Sequence, residues 1–228
     1  MSKSDRSPFK WRHSHSEIIL LCVCWYLRYA LSYRDLEEML EERNLTVDHT
    51  TIYRWVQRYA PEVDKRSRPH LRPTNDSYRV DETYVKIKGQ WRYLYRAVDS
   101  TGQTIDFMLS AKKDASAAKR FFRKMLKLPQ HSSSRVINVD QNKSYPPAVE
   151  ELKEEGVLSI VAQLRQCKYL NNIVEQDHRF IKRRVNPGPG FFNFRTARRT
   201  IGGYEAMNMI RKGVRHEAAY MFVVLEYS

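Results

Sequence analysis

Cysteine is scarce. Cys22, Cys24 and Cys167 are the only three in 228 residues, too few for a disulfide framework. With no CxxC or HxxxH beside them they form no zinc pattern, and a reducing cytoplasm suits such a chain best. Long apolar runs are missing too: Ile18 to Leu27 is far too short to span a bilayer. Behind a basic N-terminus that run imitates a signal peptide, with Ala30-Leu31-Ser32 as a poor cleavage site, but it continues into a helical pattern. Internal repeats and low-complexity tracts are absent. Acids are in deficit, 26 Asp and Glu against 40 Lys and Arg, which leaves a net charge of +14 and a pI near 9.7. That imbalance excludes a polycationic partner and points to a polyanion. A hydrophobic content of 42% is enough to build a core.

The positive charge is unevenly spread. Residues 165 to 215 hold twelve Lys or Arg and three acids, and Asn171 to Val185 lies at the centre of this region. At 100° per residue, Asn171, Asn172, His178, Arg179 and Lys182 fall within about 60° of Glu175. Ile173, Val174, Phe180, Ile181 and Val185 gather on the far side, so an acid among cations stands above an apolar floor.

Residues 1 to 13 are polar and basic, an N-terminal arm. Ser14 with Glu17 is a capping-box signal for a first helix, and Ser32 with Asp35 repeats it for a second helix through about Arg43 with Asn44 as its stop. Asp48 caps a third, His49 to Ala60, with Ile52, Val56 and Tyr59 inward and Pro61 closing it. Two short helices and a third packed against them describe a helix-turn-helix. Its outward positions, His49, Thr50, Tyr53, Arg54 and Gln57, carry donors suited to base edges and phosphates, although many three-helix bundles with polar faces touch no DNA.

From 62 to 76 the chain is rich in Pro, Arg, Ser and Asn and reads as a linker. The period then changes. Tyr78–Ile87, Gln90–Asp99 and Thr104–Ser110 are β-branched and aromatic runs separated by Lys88-Gly89 and Ser100-Thr101-Gly102, which predicts three antiparallel strands. Asp114 caps a helix carrying Ala117, Ala118, Phe121, Phe122 and Met125. Val136 to Val139 reads as a buried strand ending on Asp140. A helix is predicted over Pro147–Glu155, a short strand between Leu158 and Leu164, and a last helix over Thr196–Lys212 with Gly213 as its stop. Phe191, Phe192 and Phe194 need a surface to pack on.

The result is an α/β layer in which Asp81, Asp140 and Glu175 can meet at one sheet edge. An acid inside an apolar strand costs several kcal/mol unless paired or metal-bound. Taken singly, each acid has a structural explanation: Asp81 could pair with an Arg, Asp140 could cap a loop, and Glu175 could be one more surface charge. Together they would repel without a cation, and hard oxygen ligands suit Mg²⁺ or Mn²⁺, of which two serve phosphoryl transfer. The spacing favours the joint reading: 58 residues lie between Asp81 and Asp140, and 34 between Asp140 and Glu175.

Val80-Asp81-Glu82-Thr83-Tyr84-Val85-Lys86, Trp91-Arg92-Tyr93-Leu94-Tyr95-Arg96-Ala97-Val98-Asp99, Asn138-Val139-Asp140 and Asn171-Asn172-Ile173-Val174-Glu175-Gln176-Asp177-His178 resemble the DDE transposases of bacterial insertion-sequence family six. Upstream, Asp48 to Val56 resembles the family's helix-turn-helix, and the likeness runs from about residue 8 to 213.

The resemblance implies a ribonuclease H-like mixed sheet flanked by helices, preceded by an all-α helix-turn-helix domain. The domains would be 1–61, a linker 62–76, a catalytic domain 77–213, and a tail 214–228 that departs from the family's ending. It implies a catalytic and metal-binding triad of Asp81, Asp140 and Glu175 holding two Mg²⁺ (or Mn²⁺) ions, with Lys182 at the DNA end; Arg179, on the same helix face, is a further candidate for gripping that end. The implied activity is 3′-end cleavage at terminal inverted repeats and strand transfer into target DNA, giving a cointegrate. The implied setting is a homodimer or larger synaptic assembly in the bacterial cytoplasm at the nucleoid, away from membranes. Two alternatives stay open: a catalytically inactive DNA-binding remnant or inhibitor, and a nuclease that cuts without joining.

Overall fold

The computed structural model describes residues 16–127, 134–167, 172–185 and 190–213. They divide into two units, one running up to His70 and resuming at Gly202, the other from Leu71 to Ile201. The first holds α1 (Ser16–Arg28), α2 (Tyr33–Glu41) and α3 (His49–Ser67). Ser32 and Asp35 close the expected capping box at α2, with Ser32 N–H donating to Asp35 Oδ2 over 2.7 Å and Asp35 N–H to Ser32 Oγ over 3.1 Å. Asn44 takes a positive φ of 58°, which turns the chain out of α2. Asp48 caps α3 through the Thr50 N–H at 2.8 Å, and Ile52, Val56 and Tyr59 are buried as their spacing requires. Ser14, the first expected cap, lies outside the described residues.

Pro61 does not end α3. The helix continues six residues past it to Ser67, because Val63 and Ser67 are buried on it and Asp64 pairs with Arg68 at 3.0 Å one turn on. That burial outweighs the hydrogen bond a proline cannot make. The expected linker is therefore helix from 62 to 67, followed by a 3-10 turn at Arg68–His70.

The second unit is built on a five-stranded sheet. β1 (Ser77–Ile87), β2 (Gln90–Asp99) and β3 (Thr104–Ser110) match the three expected runs almost residue for residue. β4 (Val136–Val139) and β5 (Gln163–Gln166) lie beyond β1, giving the order β3-β2-β1-β4-β5. β1 and β2, and β2 and β3, pair antiparallel, while β4 runs parallel to β1 and β5 parallel to β4. Lys88 and Gly89, with φ of 49° and 75°, turn β1 into β2; both signs are positive, as a two-residue hairpin of matching twist requires.

α4 (Ala115–Met125) buries the five residues expected of it against Tyr78, Val80, Tyr95, Ile137 and Val139 on one sheet face. α5 (Tyr145–Glu154) begins two residues earlier than predicted, its prolines fitting the first turn where no N–H is needed. The strand expected over Leu158–Leu164 is displaced to Gln163–Gln166. Ile160 and Val161 are 81% exposed in a turn closed by Ala162 N–H on Ser159 C=O, while only Leu158 and Ala162 reach the core. A polar edge strand carries no alternation to detect. α6 (Asn172–Val185) packs on β1 and β2. Phe191 is half-buried and bridges through its backbone to the end of β1 beside Ile87, whereas Phe192 is exposed. α7 (Phe194–Gly213) closes the described chain; the tail after Gly213 lies outside it.

Candidate active site

Asp81 sits on β1, the central strand. β4 is its parallel neighbour, with Arg79 opposite Asn138, and continuing that register two residues brings Asp140, just past β4, level with Asp81. One carboxylate oxygen each from Asp81, Glu82 and Asp140 lies within 4.8 Å of the others. Asp81 Oδ1 accepts the Glu82 N–H at 2.8 Å and Asp140 Oδ1 accepts the Asn142 N–H at 3.1 Å, so both carboxylates are held by the backbone. Burial, together with the negative charges of Glu82, Asp140 and Glu175, pushes the Asp81 carboxyl up to about 7 against the pull of the Glu82 N–H.

Glu82 was missed by the sequence reading. Successive strand residues face opposite ways, and Glu82 turns to the face carrying α4 and α5. There its Oε1 meets Lys113 Nζ at 3.4 Å and accepts from Asn142 Nδ2 at 3.2 Å, beside the buried Tyr145 hydroxyl. Burial raises its carboxyl, with Lys113 opposing. Lys113 also stands 4.0 Å from Asp140 Oδ2, a tethered cation at the acid cluster. A second acid inside an otherwise apolar strand was the signal that could have marked Glu82.

Glu175 lies in the first turn of α6, exposed, outside the tight trio among the described residues. It lines an open groove of about 540 Å³ with Asp81, Glu82, Thr83, Tyr84, Gln176, His178, Arg179 and Lys182. Arg179 and Lys182 are exposed there as expected. His178 is not: it is 4% exposed, under the helix, with Nδ1 3.8 Å from Asp81 Oδ2. Burial, then the charges of Arg96 and Lys182, lowers its pKa to about 3, so the ring is neutral. Beside it Asp177 Oδ2 meets the fully buried Arg96 at 2.5 Å, fastening α6 to β2. Uniform 100° spacing placed His178 on the polar face because periodicity does not register which side chain a neighbouring acid draws inward. Asn171 lies outside the described residues.

On α3, Thr50, Tyr53 and Arg54 are exposed as predicted. His49 is half-buried and tied through Nδ1 to Glu37 Oε2 at 2.9 Å. Gln57, expected outward, is 8% exposed, whereas Arg58 one residue on is exposed. α3 buries a wider stripe than three apolar positions suggested, since Trp55 and Ala60 join it.

A carboxyl raised first by burial and then by three neighbouring carboxylates fits a divalent cation: oxygen donors converge, and a cation would offset both the lost solvation and the repulsion. Residues 75–214 match the family model described as a DDE domain. The chain is 37% identical over 204 residues to the transposase for insertion sequence-like element IS431mec of Staphylococcus aureus, covering 90% of this chain and 88% of that one. The chain belongs to the DDE transposases of insertion-sequence family six. The transposase for insertion sequence element IS257 in transposon Tn4003, also from Staphylococcus aureus, shows the same identity and coverage. Among solved structures, the HTLV-2 integrase catalytic core domain in complex with magnesium (trimeric form) aligns with 64% of this chain and 93% of that one, at 16% identity and a TM-score of 0.47. This family-six transposase has a mixed sheet flanked by helices. It is a metal-dependent enzyme of DNA cleavage and strand transfer.

Proposed function

We propose that this transposase binds the terminal inverted repeats of its element through α3, frees a 3′-hydroxyl at each end and transfers it into target DNA, leaving a cointegrate. The reading rests on the convergence of Asp81, Glu82 and Asp140, one carboxylate oxygen of each within 4.8 Å of the others, at a groove that Glu175 also lines. Asp81, Asp140 and Glu175 would hold two Mg²⁺ (or Mn²⁺) ions. When bound, the ions activate the attacking oxygen and stabilise the leaving one of an in-line displacement.

The chain's own part is placement. The backbone N–H groups of Glu82 and Asn142 fix Asp81 and Asp140, and the Arg96–Asp177 pair fixes the register of α6 so that Glu175 faces the groove. Lys182, seven residues and about 10 Å along the helix from Glu175, and Arg179 between them meet the phosphates of the DNA end. In α3, Thr50, Tyr53, Arg54 and the exposed edge of His49 face the repeat, and Arg58 takes the place expected of Gln57. Both element ends must be processed together, which calls for a homodimer or larger synaptic assembly. No helix among the described residues is long and apolar enough to cross a membrane, and action at the nucleoid in the cytoplasm suits a DNA substrate.

With Mn²⁺ or Mg²⁺, the purified protein should join oligonucleotide ends of its element to a plasmid. Asp140→Asn should abolish joining and leave end binding intact. Joining at the wild-type rate by Asp140→Asn would overturn the triad.

A further inference from the structure

Beyond Asp81 and Glu82 the β1–β2 hairpin carries aromatic side chains into solvent. Tyr84 is 54% exposed and Trp91 60%. Tyr84 lies opposite Tyr93 and Lys86 opposite Trp91, so all four project from one sheet face. The rings touch: Tyr84 to Tyr93 at 5.5 Å and Tyr84 to Trp91 edge-on at 6.3 Å, with Lys86 Nζ 6.0 Å from the Trp91 ring. Further along the same face Val80, Tyr95 and Ala97 are covered by α4 and α5. The aromatic cluster therefore begins where that cover ends.

Cross-strand aromatic pairing accounts for Tyr84 and Tyr93 as hairpin braces. It does not account for the open face of Trp91, the most exposed aromatic of the hairpin, with the Lys86 ammonium beside it on the same sheet face. Tyr84 also lines the groove that holds Asp81, Glu175, Arg179 and Lys182, so the platform borders that groove from the sheet face that Glu82 shares and Asp81 does not.

The geometry points to a stacking platform for unpaired bases of the DNA strand next to the scissile phosphate, with Trp91 as its principal ring. Aromatic faces take up bases of any sequence, but only bases released from a duplex stack. The surrounding cations and the net charge of +14 suit a nucleic-acid strand rather than an apolar protein surface. Counted along β1, Tyr84 is three residues and Lys86, the partner of Trp91, five residues from Asp81, about 10 to 17 Å. At about 3.4 Å per nucleotide that corresponds to bases roughly three to five positions from the phosphate. The platform would hold the end strand open and in register while the acids act. This rests on the DNA-end reading above, because the groove it extends is the one assigned to the DNA end.

The test compares two fluorescently labelled probes, a blunt duplex carrying the element's end and the same duplex with a short single-stranded 3′ tail. Wild-type full-length protein should bind the tailed probe more tightly and quench Trp91 fluorescence on doing so. Trp91→Ala should weaken the tailed probe by about 5- to 150-fold and leave the blunt probe unchanged, the range expected for loss of one base stack. Trp91→Phe should retain most of the preference, and thermal melts should show both variants folded. An equal loss on both probes, no loss on either, or a loss of self-association with tail binding intact would each overturn the platform while leaving the end-binding reading in place. Failure of the wild-type protein to bind either probe would sink both readings.

Discussion

Asp81 carries a cost that can be measured residue by residue. Its folded pKa of about 7 stands above the ordinary carboxylate value of 3.8, so folding opposes its ionisation. The sign follows: below about pH 4 the group is protonated folded and unfolded and has no effect, whereas above about pH 7 the folded chain bears the whole penalty. A gap of about three units corresponds to about 4 kcal/mol at most. In metal-free protein, Asp81→Asn should therefore melt above wild type at pH 8, with the difference shrinking towards pH 4. Mg²⁺ should raise the wild-type melting temperature and do little for the variant, and its affinity should strengthen between pH 6 and 8 as the proton leaves. A lower melting temperature for Asp81→Asn at pH 8 would contradict the acid cluster. Lys113 offsets part of the repulsion from the Glu82 side, which explains how the carboxylates of Asp81, Glu82 and Asp140 are kept near one point before any cation arrives.

α6 shows what an element does that its residues do not do singly. Val174 and Ile181 are buried against the sheet while Glu175, Arg179 and Lys182 face the groove, so one helix is at once a core component and the floor of the site. Ile181→Asp should cost about 4 kcal/mol or more and abolish activity through loss of fold, since it buries an unpaired charge. Glu175→Gln should abolish activity with an unchanged circular dichroism spectrum and melting curve; a matching loss of fold in both variants would erase the distinction between the two faces.

The two-faced pattern of α6 was legible because its apolar positions repeat at helical spacing, as were β1 to β3, whose alternating runs end on turn residues. Three things were not. His178 and Gln57 are polar residues drawn inward by tertiary neighbours, which periodicity counts as outward. Pro61 looked like a stop because helix propensity is local, whereas the burial of Val63 and Ser67 that carries α3 past it is not. Glu82 hid beside Asp81 because strand alternation assigned it to the opposite face, although the level of Asp140 brings their oxygens together.

For the whole chain the governing quantity is charge. A net +14, with the excess gathered between 165 and 215 and further cations on α3, predicts binding dominated by counterion release. Two surfaces contribute, the outward side of α3 in one unit and the groove beside α6 in the other, and they should differ in what they read. Groove cations meet phosphates, which carry no sequence, whereas α3 presents Thr50 and Tyr53 along with Arg54 and can discriminate bases. Each phosphate contact contributes about 0.9 to the slope of log affinity against log salt. Lys182→Ala should therefore flatten that slope by about one unit and weaken repeat and unrelated DNA alike. Thr50→Ala should leave the slope unchanged and narrow the preference for the repeat over unrelated DNA by roughly 1 kcal/mol or more, about fivefold in affinity. Titrating both DNAs from low to high salt with the three proteins checks this division. A slope change in Thr50→Ala with none in Lys182→Ala would reverse the assignment, placing the sequence-blind grip on α3 and leaving the groove without its electrostatic role.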